Sequence, residues 1–333
     1  MPVRRPASPP SATNSISDRN ASKARDTIAG VTFRLTPSTA VLLVLPPLFW
    51  AGNAVVGRAL VGQFPPLALS FWRWALAFAV LLPFAARSIY QHRHVLRTHW
   101  RILAAVAFLG VACYNSLQYL ALQTSGPVNA TLIGASGPVA GLLIGAALYG
   151  VRVSPRQWSG AALSIAGVLW VIARGDFANL LGLRLAAGDL IMLVATVLWS
   201  FYTWLLRRHR PPLPMTAFLT VQIGVGALMI LPAYLLELAL TQRVPEATAT
   251  NLAALAYVVL LPSIVAYYCW DRGVARAGAV LPMYFTNLTP VFAALMATFF
   301  LAEPIGLHHF GGGALILCGI HLANRPSAPT RSS

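Results

Sequence analysis

The feature that most constrains this chain is a long internal repeat. Residues 115–173, moved by 152 positions without a gap, lie on residues 267–325. The matched positions include the pairs Gly126/Gly278, Pro138/Pro290, Val139/Val291, Leu143/Leu295, Gly160/Gly312, Leu163/Leu315 and Gly167/Gly319. Glycine, proline and aliphatic positions preserve backbone shape and close helix packing rather than a shared catalytic group. The duplication therefore predicts two copies of one structural unit.

The composition places both copies in a membrane. Hydrophobic residues make up 57% of the chain and charged residues 10%, with a mean hydropathy of +0.68. A soluble protein carries about 25% charged residues, and a helix needs about 20 apolar residues to cross a bilayer. Ten continuously apolar segments are predicted to be transmembrane helices: 39–60, 66–86, 101–122, 127–149, 156–173, 187–206, 214–236, 250–270, 278–301 and 306–323. Because these apolar runs are continuous rather than alternating, helices are favoured over a β-barrel.

The basic residues predict how these helices are oriented. The chain has a net charge of +16, with 23 Arg and one Lys, and these residues cluster between apolar segments. With a cytoplasmic N-terminus, 19 of them fall on the cytoplasmic side, which is the positive-inside pattern. The pattern indicates contact with anionic lipids on the cytoplasmic face rather than with nucleic acid. It predicts a multi-pass protein of the inner (plasma) membrane with both termini in the cytoplasm.

Five helices per copy is an odd number, so the second copy is inverted relative to the first. The predicted fold is an all-α polytopic membrane protein with ten transmembrane helices in two inverted five-helix repeats. Inverted repeats are typical of secondary transporters. The predicted parts of the chain are a disordered basic tail at 1–38, a first repeat at 39–173, a linker at 174–186, a second repeat at 187–323 and a tail at 324–333.

Several short motifs resemble a known family. They are Phe49-Trp50-Ala51-Gly52-Asn53, Arg73 after Leu69-Ser70-Phe71-Trp72, Gln118 to Gly126, Pro138, Gly188-Asp189-Leu190, Leu198 to Tyr202, Gln222, Asn287-Leu288-Thr289-Pro290-Val291, Leu301-Ala302-Glu303-Pro304 and Gly311-Gly312-Gly313. In order and spacing the chain from 39 to 323 resembles the EamA-like family of the drug/metabolite transporter superfamily. The resemblance implies a carrier of small metabolites or drug-like compounds.

One position departs from the family pattern. The family usually has an acidic residue after the fourth helix of each half, and Glu303 supplies it in the second half. The aligned position in the first half is Val151, so a symmetric pair of carboxylates is not available. Asp271 is the other acid near a span end that could take a proton. The sequence leaves the role of Glu303 and any coupling to protons or ions open.

Arg73 lies within a predicted span, about a turn or two into the second helix. A guanidinium inside a bilayer costs a few kcal/mol unless it is solvated or paired. One interpretation makes Arg73 an anchor for a carboxylate or phosphate of a substrate. The other makes it a side chain that snorkels to the lipid headgroups, because it lies near the outer end of its span.

Aromatic and amide side chains in the spans are the candidate lining of a central cavity. Tyr114 and Gln118 are four residues apart and share one helix face. Such faces suit an amphiphilic organic molecule, although interhelical hydrogen bonds and interfacial aromatic belts use the same residues. The candidate substrate-binding residues are Trp50, Asn53, Arg73, Tyr114, Asn115, Gln118, Trp199, Tyr202, Gln222, Tyr267 and Asn287.

The sequence therefore favours a secondary transporter, and an exporter, that works by alternating access. An intramembrane enzyme and a channel-like membrane protein are the alternatives. No catalytic motif, metal-ligand pattern or cofactor fingerprint stands out in the spans, so we expect no catalytic residue, metal or cofactor. The expected partners are a small-molecule substrate and the lipid bilayer, and a homodimer is one assembly compatible with such a chain.

Overall fold

The structure is a computed structural model that describes residues 35–125, 127–173, 175–182, 186–301 and 306–324. All regular secondary structure in these ranges is helical. Each predicted segment contains helix, and two short helices, Arg93–Thr98 and Ala178–Leu181, lie outside those segments. Seven of the described helices are long and apolar enough to cross a membrane. The prediction of an all-helical membrane protein is confirmed. Glu303 and nearly all of the two predicted tails lie outside the described residues.

We label the ten helical segments α1 to α10. In the first half they are α1 (Pro37–Ala59), α2 (Pro66–Gln91), α3 (Trp100–Thr124), α4 (Pro127–Gly134 and Gly137–Tyr149) and α5 (Pro155–Ile172). In the second half they are α6 (Ala187–His209), α7 (Met215–Thr241), α8 (Ala249–Ala277), α9 (Val280–Phe285, a 3₁₀ turn Thr286–Leu288 and Thr289–Leu301) and α10 (Leu307–Asn324). Helices α2, α7 and α8 continue past their predicted ends, because a helix does not stop where its sequence becomes polar.

Helices α4 and α9 are broken at equivalent places. The break in α4 follows Gly134, just before Pro138, and the 3₁₀ turn of α9 lies just before Pro290. A proline ring clashes with the carbonyl four residues earlier and removes one helical hydrogen bond. The two prolines are 152 positions apart, so the repeat duplicates the break as well as the helix.

Helices α3 and α8 each contain a stretch of π-helix, again at equivalent positions. The stretches are Phe108–Cys113 and Val259–Val265. A π turn changes the hydrogen-bond register, and such turns are frequent at functional sites. In each π-helical stretch one backbone carbonyl accepts a hydrogen bond from a side chain. Asn115 Nδ2 donates to the Gly110 carbonyl at 3.2 Å, and Trp50 Nε1 donates to the Pro262 carbonyl at 3.1 Å.

Helices α5 and α10 pack backbone to backbone through four glycines. A Cβ placed on Gly160 would lie 2.7 Å from the Gly319 carbonyl oxygen, and one on Gly167 would lie 2.7 Å from the Gly312 carbonyl oxygen. Gly160 therefore faces Gly319 while its repeat partner, Gly312, faces Gly167. The reversed order makes the two helices antiparallel.

Other helices of each half also pack against helices of the other half. Helix α2 packs on α7, α1 packs on α8 and α9, and α6 packs on α3 and α4. Each half thus buries its helices mainly against the other half.

A polar contact also links α7 to α2: the Glu237 carboxylate accepts from the backbone N–H groups of Leu67 at 3.1 Å and Ala68 at 2.8 Å. A carboxylate there satisfies N–H groups that the first turn of a helix leaves unpaired.

Candidate functional site

A cavity lies between the two halves. Its walls come from α1, α3 and α4 of the first half and from α6 and α9 of the second. The lining residues are Trp50, Ala54, Tyr114, Gln118, Leu122, Ala130, Gly134, Gly137, Met192, Thr196, Trp199, Met283, Thr286 and Thr289. The cavity encloses about 60 Å³, which is room for a few water molecules at roughly 10–15 Å³ each. Aromatic rings and aliphatic groups dominate, and the polar lining residues are one amide, three threonines and the Tyr114 phenol.

The α3 wall of the cavity and its equivalent in α8 differ in exposure. The repeat carries Tyr114, Gln118 and Leu122 onto Ala266, Trp270 and Val274. The last three are completely buried, whereas Tyr114 is partly exposed and Gln118 is 9% exposed. One end of the interface between the halves is therefore hollow, while the equivalent region is filled by side chains.

An aromatic cluster closes the cavity at its deep end. Trp50 and Trp199 meet edge to face with ring centroids 5.2 Å apart, and Trp199 also contacts Tyr202 at 4.8 Å. Edge-to-face pairs at these distances are favourable and hold one another in position. The members of the aromatic cluster are Trp50, Tyr114, Trp199, Tyr202, Tyr267 and Trp270.

A buried polar network surrounds Arg73, which we call the Arg73 network. Arg73 is 0% exposed, so the snorkelling interpretation is wrong for this residue. Its Nη1 donates to Asn115 Oδ1 at 2.9 Å, Tyr119 Oη at 3.0 Å and Asn53 Oδ1 at 3.2 Å, and its Nε donates to Ser263. All of these acceptors are neutral, and Nη2 is buried without a partner. Because these acceptors are neutral, the positive charge of the guanidinium is available to an anionic ligand.

A second network lies around Asp271, which we call the Asp271 network. Tyr202 Oη donates to Asp271 Oδ1 at 2.9 Å, and Gln222 Nε2 donates to Tyr202 Oη at 3.0 Å. Asp271 and Gln222 are both 0% exposed. Asp271 Oδ2 and Gln222 Oε1 are buried without a hydrogen-bond partner.

The two networks occupy equivalent positions in the repeat. Helices α2 and α7 begin at Pro66 and Met215, 149 positions apart. That shift carries Arg73 onto Gln222 and Asn53 onto Tyr202, and the 152-position shift carries Tyr119 onto Asp271. In both triplets the α2 or α7 side chain donates to the α1 or α6 side chain, but Tyr119 donates to Asn53 whereas Asp271 accepts from Tyr202. The first triplet carries a positive charge and the second a carboxyl group.

A further hydrogen bond links the Arg73 network to a side chain of the second half. Asn115 Nδ2 donates to Tyr267 Oη at 2.8 Å, and these two residues are themselves equivalent, 152 positions apart. Gln118 connects the Arg73 network to the cavity, because its Oε1 accepts from Asn53 Nδ2 at 3.3 Å.

The structure separates the predicted site residues into three groups. Trp50, Tyr114, Gln118 and Trp199 line the cavity. Asn53, Arg73, Asn115, Tyr202, Gln222 and Tyr267 form the two networks behind it. Asn287 lies apart from both groups, where its Nδ2 donates to Ser164 Oγ of α5 at 2.9 Å.

Sequence reasoning missed several members of the site. Tyr119, Ser263 and Trp270 were not selected, and Asp271 was considered only as an acid near a span end. The 152-position shift was a signal for two of them, since it carries the selected Gln118 onto Trp270 and its neighbour Tyr119 onto Asp271. Met192, Thr196 and the α9 residues of the cavity carry no comparable signal, because small and thioether side chains are common in any membrane helix.

Comparisons with known proteins point to one family. The sequence model of the EamA-like transporter family matches residues 37–173 and 186–325, which is most of the chain and both halves. A solved crystal structure superposes with a TM-score of 0.70 at 22% identity, covering 86% of this chain and 96% of the other. That likeness shows a shared fold.

Curated relatives of similar length are named as transporters. The uncharacterized transporter YyaM of Bacillus subtilis is 25% identical over 85% of this chain and 92% of its own length. A probable terminal-alkyne amino-acid exporter of Streptantibioticus cattleyicolor is 28% identical over 85% and 92% of the two chains. A probable amino-acid metabolite efflux pump of Salmonella typhimurium is 24% identical over 84% and 93%.

Proposed function

The chain belongs to the EamA-like transporter family, and from that premise we propose that it is a secondary carrier that exports small amphiphilic metabolites by alternating access. In this proposal ten helices cross the inner membrane as two inverted repeats, 39–173 and 187–323, with both termini in the cytoplasm. The reciprocal glycine contacts of α5 and α10 and the exchanged partners of the other helices support this arrangement.

The observation that carries the proposal is the one-sided cavity. Two similar halves in opposite orientations have outward-open and inward-open states of comparable energy. A carrier in one of these states has a cavity on one side of its centre, and packed side chains fill the equivalent region on the opposite side. The hollow beside Gln118 and the buried Trp270 at the equivalent position fit this description. With a cytoplasmic N-terminus, the hollow side faces outward.

The lining of the cavity favours a substrate with an apolar or aromatic body and a polar head. Trp50, Tyr114 and Trp199 can stack on such a body, and Gln118 can donate hydrogen bonds to its edges. The threonine hydroxyls donate to backbone carbonyls and can accept hydrogen bonds from the substrate. Two relatives are named as exporters of amino-acid compounds. We therefore take an apolar amino acid, with phenylalanine as the first probe, as the substrate class.

Arg73 is the group that would recognise the carboxylate of such a substrate. It lies behind Asn53 and Gln118, and its unpartnered Nη2 can form a charge-assisted hydrogen bond. The substrate reaches it when the Asn53–Gln118 contact opens, so the enclosed space must grow as the substrate enters. The role given to Arg73 is binding and orientation, and no covalent chemistry is involved.

Counterflow in proteoliposomes tests the proposed function. Vesicles loaded with unlabelled phenylalanine should accumulate labelled phenylalanine transiently, because an alternating-access carrier exchanges one molecule for another. A channel would let the labelled compound equilibrate without an overshoot, and an enzyme would convert it to a new compound. Either of those results contradicts the proposal.

A cavity-filling variant ties the transport to this cavity. A Cβ on Gly134 has Met192 Cε, at 3.9 Å, as its nearest neighbour, so Gly134→Leu places its side chain in the hollow without a backbone clash. We expect counterflow to fall by about tenfold or more. The leucine side chain would occupy apolar surface that the substrate otherwise contacts, and the lost contact is worth about 2 kcal/mol of substrate binding. Gly313→Leu is the matched control, since the nearest neighbour of its Cβ is 4.0 Å away and the residue lies outside the cavity. Equal counterflow in both variants would contradict the assignment of the cavity.

A further inference from the structure

The first half of the chain contains arginines but no carboxylate. No Asp or Glu occurs between Asp26 and Asp176, whereas the same stretch contains ten arginines. Four of these arginines lie around the connection between α2 and α3: Arg87, Arg93, Arg97 and Arg101. All four are exposed, and none forms an ion pair within the described residues. Their counter-charge therefore has to come from outside this half of the chain.

A short helix fixes the position of two of these arginines. It is Arg93–Thr98, between α2 and α3. Val95 and Leu96 are half-buried and pack against the hydrophobic core. Arg93 and Arg97 are four residues apart, so they share a face of this helix, and both are exposed. The apolar side thus holds the helix on the bundle while the two guanidinium groups face outward.

Two exposed aromatic residues flank the short helix. Tyr90 is 68% exposed and Trp100 is 60% exposed. The Arg93 guanidinium carbon lies 4.5 Å from the centroid of the Tyr90 ring, and the Arg101 guanidinium carbon lies 5.6 Å from the Trp100 ring. Tyrosine and tryptophan are enriched where a membrane meets water. The two rings therefore hold two guanidinium groups at the level of the lipid headgroups.

The exposed side of α2 indicates where the headgroup region begins. Phe84 is 79% exposed, and such an apolar ring on a membrane helix fits against acyl chains. Arg87 is three residues further along α2 and shares a face with Phe84. At 1.5 Å per residue it lies about 4.5 Å nearer to the membrane surface. The change from acyl chain to phosphate therefore falls between these two residues.

The ligand that matches this surface is an anionic phospholipid. Its phosphate can accept charge-assisted, bidentate hydrogen bonds from a guanidinium group. Its acyl chains can cover the exposed apolar side of α2 that ends at Phe84. A small soluble anion would satisfy the arginines but would leave that apolar surface uncovered. The combination of unpaired cations, interfacial rings and an adjoining apolar face therefore favours a lipid.

We propose that this surface is a binding site for an anionic phospholipid, which we call the α2–α3 lipid site. Its residues are Arg87, Tyr90, Arg93, Arg97, Trp100 and Arg101. The site differs from a general attraction of basic loops to a membrane, because packing of the short helix and the two aromatic rings fix the arginines in place. A bound phosphate bridges these arginines and stabilises the connection between α2 and α3. The inference depends on insertion in a membrane and is independent of the proposed transport function.

Thermal unfolding in detergent tests the site without a transport substrate. Titration of the purified full-length protein with phosphatidylglycerol should raise the unfolding midpoint until the effect saturates. Phosphatidylcholine should raise it much less, because its choline cation cancels the phosphate charge. In the double variant Arg93→Gln/Arg97→Gln, half of the shift should require about twentyfold more phosphatidylglycerol, since each arginine near an anionic surface strengthens binding by about fivefold.

The matched control is Arg152→Gln/Arg276→Gln. These two arginines are also exposed, and in the proposed topology they lie on the same membrane face, so the control removes the same charge. It should titrate like the wild type. Equal weakening in both double variants would show a general attraction of the basic face and would overturn the site. An equal rise of the wild-type midpoint with phosphatidylcholine or with inorganic phosphate would also overturn it.

Native mass spectrometry of the same samples counts the bound lipid directly. The wild type and the control should retain phosphatidylglycerol, and Arg93→Gln/Arg97→Gln should lose most of it. Because this measurement selects folded protein, it separates lipid binding from a loss of stability. Equal retention by the wild type and Arg93→Gln/Arg97→Gln, or no retention by the wild type, would contradict the proposal.

Discussion

Gly312→Ala should destabilise the protein strongly, although it adds one methyl group. The new Cβ would lie 2.7 Å from the Gly167 carbonyl oxygen of α5, which is closer than Cβ atoms approach other atoms in proteins. Helices α5 and α10 would have to separate, and overpacking of this kind costs about 1–3 kcal/mol. The thermal unfolding midpoint in detergent and the yield of monodisperse protein measure the effect, and Gly312→Leu should leave little folded protein.

The neighbouring glycine provides the control for this prediction. A Cβ on Gly313 has Val291 Cγ1, at 4.0 Å, as its nearest neighbour, so Gly313→Ala should leave the unfolding midpoint unchanged or raise it slightly. Alanine is the better helix former of the two residues by about 1 kcal/mol. Equal midpoints for Gly312→Ala and Gly313→Ala would mean that α5 and α10 do not approach as described.

Arg73→Gln should lower transport of a carboxylate-bearing substrate by about ten- to a hundredfold, because a hydrogen bond to a charged group is worth about 1.5–3 kcal/mol. Glutamine can still donate to the Asn115 or Tyr119 oxygen but carries no charge. Arg73→Lys keeps the charge and loses the forked donors, so it should retain part of the activity. Counterflow of phenylalanine measures the effect on transport. The shift of the unfolding midpoint when phenylalanine is added measures the effect on binding.

A structural role for Arg73 is separated from a binding role by Ser263→Ala. That variant removes the acceptor of Arg73 Nε and leaves the guanidinium charge and its other partners in place. We expect a modest loss of stability with substrate binding retained. Arg73 is not a carboxylate anchor if Arg73→Gln transports as well as the wild type. The same conclusion follows if Arg73→Gln is destabilised and Arg73→Lys, which keeps the charge, transports no better than Arg73→Gln.

The helices of this fold follow directly from the sequence, because twenty apolar residues in a bilayer have few other ways to satisfy their backbone groups. The breaks in α4 and α9 were not predicted, although the two prolines that cause them were part of the repeat. A proline within a membrane helix can kink it, break it or leave it nearly straight. Which of these occurs depends on the neighbouring helices, and those cannot be assigned from one apolar segment.

The site was predicted in part. The cost of a charge in a span makes Arg73 a candidate from the sequence alone, and four of the predicted residues, Trp50, Tyr114, Gln118 and Trp199, line the cavity. The correspondence between the two networks was not seen, because the gapless shift begins at residue 115 and α1 and α2 follow a shift that differs by three residues. The equivalent residues also differ in type, since Arg73 corresponds to Gln222 and Tyr119 to Asp271, which hides the relation from any search for matching residues.

The central claim is that the two halves are inverted copies, and side-specific cysteine labelling tests it most directly. Gln123 and Ala275 are exposed and 152 positions apart, so inverted halves must present them on opposite membrane faces. After replacement of Cys113, Cys269 and Cys318, a cysteine at 123 should react with an impermeant maleimide in intact cells. A cysteine at 275 should react only after permeabilisation. Labelling of both positions from the same side would contradict the account.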